Sequence, residues 1–264
     1  MKFTAPAKIN LALKITGKND DGYHLLDSAI VFTEWGDEIT ITQSDEFRLT
    51  AEGAYSNIFT ASLLSTDRGA PNLIVRAVYA LINNRTIVPQ VHVHVNKVIP
   101  SGAGLGGGSA DAASVMCALN DYWEMDLSID ELCAIGLTIG AELPVCIRGH
   151  SARVTGIGDK VDATDIAQHT LLIVWPDQPL MTKDVFAKYD PSHNEIWDND
   201  LTPAAISLCP EIEDIITQLR LSNGCQSASM TGSGSACFGI FETMDLAKAA
   251  SKNFKNCVTT RTQV

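Results

Sequence analysis

The segment from residue 100 to residue 113 reads PSGAGLGGGSADAA, with glycine at 102, 104, 106, 107 and 108 running directly into an alanine-rich stretch. Glycine lacks the Cβ that bars other residues from positive φ, and it lets backbone come close to whatever it faces. The alanine-rich stretch predicts a helix opening at Ser109 or Ala110. The first turn of such a helix leaves N–H groups unpaired and carries the positive end of the helix dipole. Loop and helix start together suit a bound phosphate. A glycine-rich turn with no ligand is the alternative that the residues leave open.

The run contains a GxGxxG pattern at Gly102, Gly104 and Gly107, which raises a dinucleotide-binding turn as a rival. The residues before it argue otherwise. Val91-His92-Val93-His94-Val95 alternates apolar and polar, as a strand with one wet face does, whereas the central parallel strand of a doubly wound sheet is nearly all apolar. About a hundred residues precede the loop, while the dinucleotide fingerprint usually opens its domain. No Lys-Ser or Lys-Thr follows a GxxxxG spacing, so a Walker-type loop is absent from the sequence.

At 264 residues and 45% apolar, the chain can form two modest domains or one large one. Its net charge of −12 argues against nucleic acid and anionic membrane as main partners. An acidic chain that binds phosphate must concentrate its few cations at the site, and Lys8, Lys97 and the helix start near Ser109 are the candidates. Seven cysteines without CxxC pairs fit reduced thiols. His92 and His94 share a strand face at a spacing that suits a metal, but no third ligand is evident and a surface role is favoured. Lys8, Asn10 and Lys14 interrupt the apolar character of MKFTAPAKINLALKI, so it does not read as a signal peptide, and a cytoplasmic protein is expected.

Residues 8 to 15 alternate as a half-buried strand whose polar face carries Lys8 and Asn10 together. Asn19-Asp20-Asp21-Gly22 predicts a turn, and further strands are expected at 28–32, 38–42 and 47–50. Asn72 caps a helix running through Val78 to Ile82, and Ser128 with Glu131 forms a capping box for another that ends near Gly140. After Gly149 come strands at 152–155, 171–175 and 236–241, with helices near 183–188, 210–219 and before Cys257. Strands first, then helices, then a second mixed half read as α+β with antiparallel or mixed sheets. The boundary falls between Gly149 and Asp165, placed at 155/156, to give domains 1–155 and 156–264.

Three segments, AKINLAL at 7–13, PSGAGLGGGSADAA and MTGSGSACF at 230–238, resemble the three motifs of the GHMP kinase superfamily. Asp21-Gly22-Tyr23-His24, Gly36-Asp37-Glu38-Ile39, Gly156-Ile157-Gly158, and Asn199-Asp200-Leu201 followed by Pro203 narrow the resemblance to its branch acting on 4-diphosphocytidyl-2-C-methyl-D-erythritol. The resemblance implies a ribosomal-protein-S5-domain-2-like N-terminal domain, a ferredoxin-like C-terminal domain, and ATP in a cleft between them. It places Asn72, Lys97, Pro100, Gly102, Gly104, Gly106, Gly107, Gly108 and Ser109 at ATP, with Mg²⁺ accompanying the nucleotide near Ser109 and no certain protein ligand for it. It assigns Lys8 to the transferring phosphoryl group. Asn10, Tyr23, His24, Phe186, Gly232, Ser233 and Gly234 go to the small-molecule substrate. Nucleic acid and membrane are not implied as partners, and a monomer or weak homodimer is expected.

Phosphoryl transfer also needs a carboxylate to orient or deprotonate the acceptor hydroxyl. The family pattern Gly-Ala-Asp-Val-Pro reads Gly140-Ala141-Glu142-Leu143-Pro144 in this chain, so Glu142 is the candidate. Its extra methylene moves the carboxylate by about 1 Å, a displacement that can cost about a hundredfold in rate. An active kinase, another GHMP small-molecule kinase and a catalytically impaired nucleotide-binding homologue all remain open at this point.

Overall fold

A computed structural model describes residues 1–83, 85–193 and 197–263. The chain forms two compact units that interleave along the sequence. The first comprises Met1–Ala7, Trp35–Pro100 and Gly106–Gly149, and the second comprises Lys8–Glu34, Ser101–Leu105 and everything from His150 onward. The reason lies in two long strands, β1 (Lys2–Lys18) and β2 (His24–Gln43), each of which contributes one part to each unit.

The sequence suggests two strands within 28–42, yet β2 runs through Gly36 without a break. A Cβ there would lie 2.1 Å from the Ala5 carbonyl oxygen, so this glycine serves close approach of two strands and makes no turn. In the first unit, residues 38–43 of β2 pair antiparallel with β4 (Val91–Asn96), and β4 pairs parallel with β3 (Arg48–Glu52). The alternating pattern of β4 buries Val91, Val93 and Val95, while His92 Nε2 and His94 Nδ1 both meet the Thr50 hydroxyl on the opposite face, at 2.6 and 2.8 Å.

Helices cover the apolar face. A short turn of helix, α1 (Ala61–Leu64), precedes α2 (Leu73–Leu81), whose N-cap Asn72 accepts from the Ile74 N–H. Next come α3 (Gly107–Tyr122), α4 (Ile129–Leu137) with the expected Ser128/Glu131 capping box, and α5 (Leu143–Arg148). The alanines of α3 are buried: Ala110, Ala112 and Ala113, with Val115, Met116 and Leu119, pack in one cluster with Ile74, Val78, Leu81 and the β4 valines. Small side chains let that helix sit close to its neighbours. The sequence predicts no element at 143–148. There Pro144 stands in the first turn, and Gly149 at φ +63 terminates the helix.

In the second unit, β5 (Ala152–Gly156) pairs with residues 26–30 of β2 and with β6 (Lys160–Ala163). The other sheet has the order β10-β7-β9-β8, all antiparallel, from β7 (Thr170–Val174), β8 (Cys225–Met230), β9 (Cys237–Phe241) and β10 (Cys257–Arg261). Between β7 and β8 lie α6 (Thr182–Ala187), α7 (Thr202–Leu208) and α8 (Glu211–Leu221), and α9 (Met244–Ser251) joins β9 to β10. With α8 and α9 as its crossovers, this is the β-α-β-β-α-β topology of a ferredoxin-like domain, as the resemblance implies. Leu172, Val174, Ala228, Met230 and Phe241 from the strands close its core with Ile212, Ile216, Leu219 and Ala247 from the helices. Its cysteines, like those of the first unit, are all free thiols.

Candidate active site

The glycine loop changes character part-way. Its first part, Ser101–Leu105, belongs to the second unit and is tied there by backbone hydrogen bonds. The Gly102 carbonyl accepts from Leu180 N–H (2.9 Å), that of Ala103 from Ala236 N–H (3.0 Å), and that of Leu105 from Lys8 N–H (2.9 Å). Gly104 sits at φ +74, and a Cβ on it would fall 2.5 Å from the Thr231 carbonyl oxygen. No other residue fits there.

The second part opens α3 in the first unit. Gly106 is the N-cap, left-handed at φ +69, and offers no side-chain oxygen to the first turn. The helix therefore begins at Gly107, two residues ahead of the expected Ser109, which lies half-buried in the first turn. Glycine at the cap and first two positions carries the chain into the helix with its leading N–H groups uncapped by side chains. Gly108 is exposed, and a Cβ there would make only ordinary contact with Leu73, at 3.7 Å.

Lys97 follows the end of β4 and is 3% exposed. Its ammonium donates to Asp37 and, at 2.7 Å, to Asp111 on α3. The other Asp37 oxygen accepts from the N–H groups of Val98 (2.6 Å) and Ile99 (2.8 Å). A Cβ on Gly107 would lie 3.0 Å from Lys97 Nζ and 2.9 Å from Ile99 Cγ2, so the charge cluster sits against the start of α3. Burial would lower the Lys97 pKa, but the two carboxylates outweigh it and raise it. Burial, aided by the nearby Asp37 charge, pushes Asp111 up to about 7, and its Oδ1 has no hydrogen-bond partner. Pro100 is buried just after this cluster. Asn72 uses its side chain on protein, accepting from Ile74 N–H at 2.8 Å and donating to the Leu63 carbonyl at 2.9 Å. Glu142 is exposed at the N-cap of α5. Arg148, at the far end of that helix, pairs with Asp130 at 2.6 Å.

In the second unit the face of β1 expected to be wet is buried, with Lys8 2% and Asn10 4% exposed. Lys8 Nζ donates to Asn10 Oδ1 at 2.7 Å and to the Gly104 carbonyl at 3.4 Å. Asn10 N–H donates to Thr231 Oγ1 (2.9 Å), which heads the second glycine loop. That loop is pinned from below by Asn199, whose Nδ2 donates to the carbonyls of Met230 (2.9 Å) and Gly232 (2.8 Å). Gly232 packs against the Gly104 backbone, and Ser233 Oγ meets Thr182 Oγ1 at 3.0 Å. Asp200 holds β1 itself by accepting from Lys14 Nζ and Ile15 N–H, both at 2.9 Å.

His24 follows the turn at 19–22 and packs its ring against Phe186 (centroids 5.2 Å apart) and edge-on against Tyr189 (5.3 Å). Burial and the nearby Lys18 lower its pKa, which favours the neutral imidazole, and its Nδ1 is buried without a partner. Tyr23 beside it is 66% exposed, an aromatic face turned to solvent. Among the described residues no group of three or more His, Cys, Asp or Glu is arranged to hold a metal, and no helix is long and apolar enough to cross a membrane.

Residues 72–150 match the GHMP kinases N terminal domain, and residues 190–259 match the GHMP kinases C terminal domain. The 4-diphosphocytidyl-2-C-methyl-D-erythritol kinase of Brucella abortus is 40% identical over 94% of this chain and 88% of its own length. The chain belongs to the GHMP kinases. The kinase of the same name from Acidovorax sp. is 41% identical over 96% of this chain and 92% of its own. A solved 4-(cytidine 5'-diphospho)-2C-methyl-D-erythritol kinase superposes over the whole of both chains with a TM-score of 0.81 at 27% identity. The Methanococcus jannaschii mevalonate kinase shares the fold at a TM-score of 0.69 and 13% identity.

Sequence reasoning about this GHMP kinase missed several residues that hold its site together. Asp37 and Asp111 stand inside motifs quoted from the sequence but received no role, although a buried lysine requires anionic partners. Asn199 likewise lay in a recognised motif. Ser28 and Tyr189 carry no signal short of the folded chain.

Proposed function

We propose that this GHMP kinase transfers the γ-phosphoryl group of ATP to the 2-hydroxyl of 4-diphosphocytidyl-2-C-methyl-D-erythritol, in the non-mevalonate route to isoprenoid precursors. The observation that carries the reading is the divided glycine loop: its first part is sealed onto the strand of Lys8, and its second part opens α3 with uncapped amides. In the loose transition state of phosphoryl transfer, charge gathers on the equatorial oxygens, which calls for cations and N–H donors. The amides of Gly107, Gly108 and Ser109 supply donors to the phosphates, and Lys8 supplies the cation. Glu142 orients or deprotonates the acceptor hydroxyl. Residues up to 155 contribute most of the ATP site, with Pro100, Asn72 and Lys97 shaping it, and residues 156–264 complete the acceptor site through Phe186, Gly232, Ser233 and Gly234.

The cytidine end of the acceptor is read at His24. A neutral imidazole with a buried, unpartnered Nδ1 has one hydrogen bond to make. The cytosine edge offers both a donor amine and acceptor atoms, so either tautomer of the ring is served. Tyr23 and Phe186 provide stacking faces, and Asn10 joins the acceptor site through its bond to Lys8. Mg²⁺ would accompany the ATP phosphates. It would neutralise charge between the phosphates beside Ser109. The kinase acts as a cytoplasmic monomer or weak dimer on small molecules, apart from nucleic acid and membrane.

ADP release from Mg²⁺-ATP, with and without the cytidylylated acceptor, tests the assignment. Turnover that depends on this acceptor is expected. Turnover with mevalonate or homoserine in its place would move the chain to another GHMP activity, and nucleotide binding without any turnover would make Glu142 the mark of an impaired homologue.

A further inference from the structure

Resting on the reading of Lys8 as the cation of the transfer, we propose that Ser28 is a positioning residue for it: its hydroxyl fixes which way round the Asn10 amide faces, and so where the Lys8 ammonium is held. Lys8, Asn10 and Ser28 are at most 4% exposed, and three hydrogen bonds join them to a backbone carbonyl. Lys8 Nζ donates to Asn10 Oδ1 (2.7 Å), Asn10 Nδ2 donates to Ser28 Oγ (2.7 Å), and Ser28 Oγ donates to the Ala12 carbonyl (2.6 Å).

The direction of this chain is forced from both ends. A carbonyl oxygen can only accept, so the one hydroxyl hydrogen of Ser28 goes to Ala12, and Oγ is left to accept from its other neighbour. The side-chain nitrogen of Asn10 must therefore face Ser28, which turns Oδ1 toward Lys8. An ammonium can only donate, so the oxygen is the end that it needs. Thr231 fixes the backbone of the same asparagine by accepting from its N–H, and the amide turns only about its own side-chain bonds. With Ser28 in place a flipped amide would set two donors against each other at Lys8 and two acceptors against each other at Ser28. Without the hydroxyl, the penalty at one end vanishes. Asn10 in this arrangement spends both ends of its amide on the protein, so it serves the phosphoryl group through Lys8.

The test compares Ser28→Ala, Ser28→Thr, Lys8→Met, and Ser28→Ala combined with Asn10→Asp, by steady-state kinetics and the pH profile of kcat, with thermal melting to verify folding. Ser28→Ala is expected to lower kcat by about ten- to a hundredfold, the scale of a misplaced catalytic group, while KM for ATP moves by less than about threefold. Ser28→Thr keeps the hydroxyl and recovers most of that loss. The combined variant is decisive. A carboxylate presents oxygen to Lys8 whichever way it turns, so Asn10→Asp should restore much of the kcat that Ser28→Ala removes, with a shifted pH profile. A combined variant as slow as Ser28→Ala alone would overturn the inference, because Ser28 would then act only by filling space. If Lys8→Met stays active, the reading of Lys8 fails. If Lys8→Met is inactive while Ser28→Ala is unimpaired, the positioning role alone fails. Should Ser28→Ala not fold, the Asn10 side-chain amide protons of the parent protein decide by hydrogen exchange: protected protons are expected, and freely exchanging ones overturn the proposal.

Discussion

The two parts of the glycine loop use the same residue for opposite ends. Between Ser101 and Leu105, glycine permits contact: carbonyls are consumed by Leu180, Ala236 and Lys8, and Gly104 touches the Thr231 backbone so closely that a side chain cannot enter. From Gly106 onward, glycine permits absence. The cap has no side chain to satisfy the first amides of α3, and Gly108 is exposed, with Leu73 at no more than ordinary contact distance from a Cβ placed there. One part is a fastening and the other a set of donors, and a motif read as a single phosphate loop conceals the division.

Substitutions can break or sharpen that contrast. The largest effect belongs to Gly104→Ala, which adds left-handed strain to a backbone collision and should destabilise the protein by about 3 kcal/mol. Denaturant unfolding measures it, and a loss below about 1 kcal/mol would mean that the first part of the loop is not a fastening. Next is the charge cluster under the second part. Asp111, raised from 3.8 to about 7, binds a proton in the folded chain at pH values where the unfolded chain has released it. Its contribution is therefore fully present below pH 4 and fades as pH rises through 7, by up to about 1.4 kcal/mol per pH unit. Asp111→Asn should flatten the stability curve over that range, and an unchanged slope would place the proton elsewhere. The smallest expected change is at Gly108→Ala. A helical alanine gains about 0.5–1 kcal/mol over glycine, yet on the proposed reading its methyl would crowd phosphates held at the neighbouring amides. Stability should rise slightly while KM for ATP increases several-fold, and a variant that gains stability at no cost in KM would show that the phosphates lie elsewhere.

Much of the fold was legible wherever the cause is local. Asn72 and Ser128 cap the helices that their side chains predict, and the alternation of residues 91–95 gives β4. What stayed hidden depends on partners distant in sequence. Gly36 reads as a break until Ala5 is brought beside it. The buried state of Lys8 and Asn10 could not be read from an alternating strand, because alternation marks two faces and does not say that both are covered. The motifs located the site well, but they named residues without directions. Only the folded chain shows Lys97 spent on Asp37 and Asp111, or Tyr189 packed against the His24 ring.

The interleaving of the two units bears on how the chain is made. Residues 8–34 leave the ribosome early, yet Asp198, Asp200 and Thr231, to which Leu13, Lys14, Ile15 and Asn10 bond, are synthesised more than 150 residues later. The first unit has all its segments once Gly149 has emerged, whereas the strand that carries Lys8 must wait for residues 198–231 to complete its bonds. During synthesis β2 can pair with one side of this strand as soon as it emerges, but the other side stays an open edge, the kind of surface on which nascent chains associate wrongly. Lysines at 8, 14 and 18 along it supply the charge that discourages such pairing before the proper partners arrive.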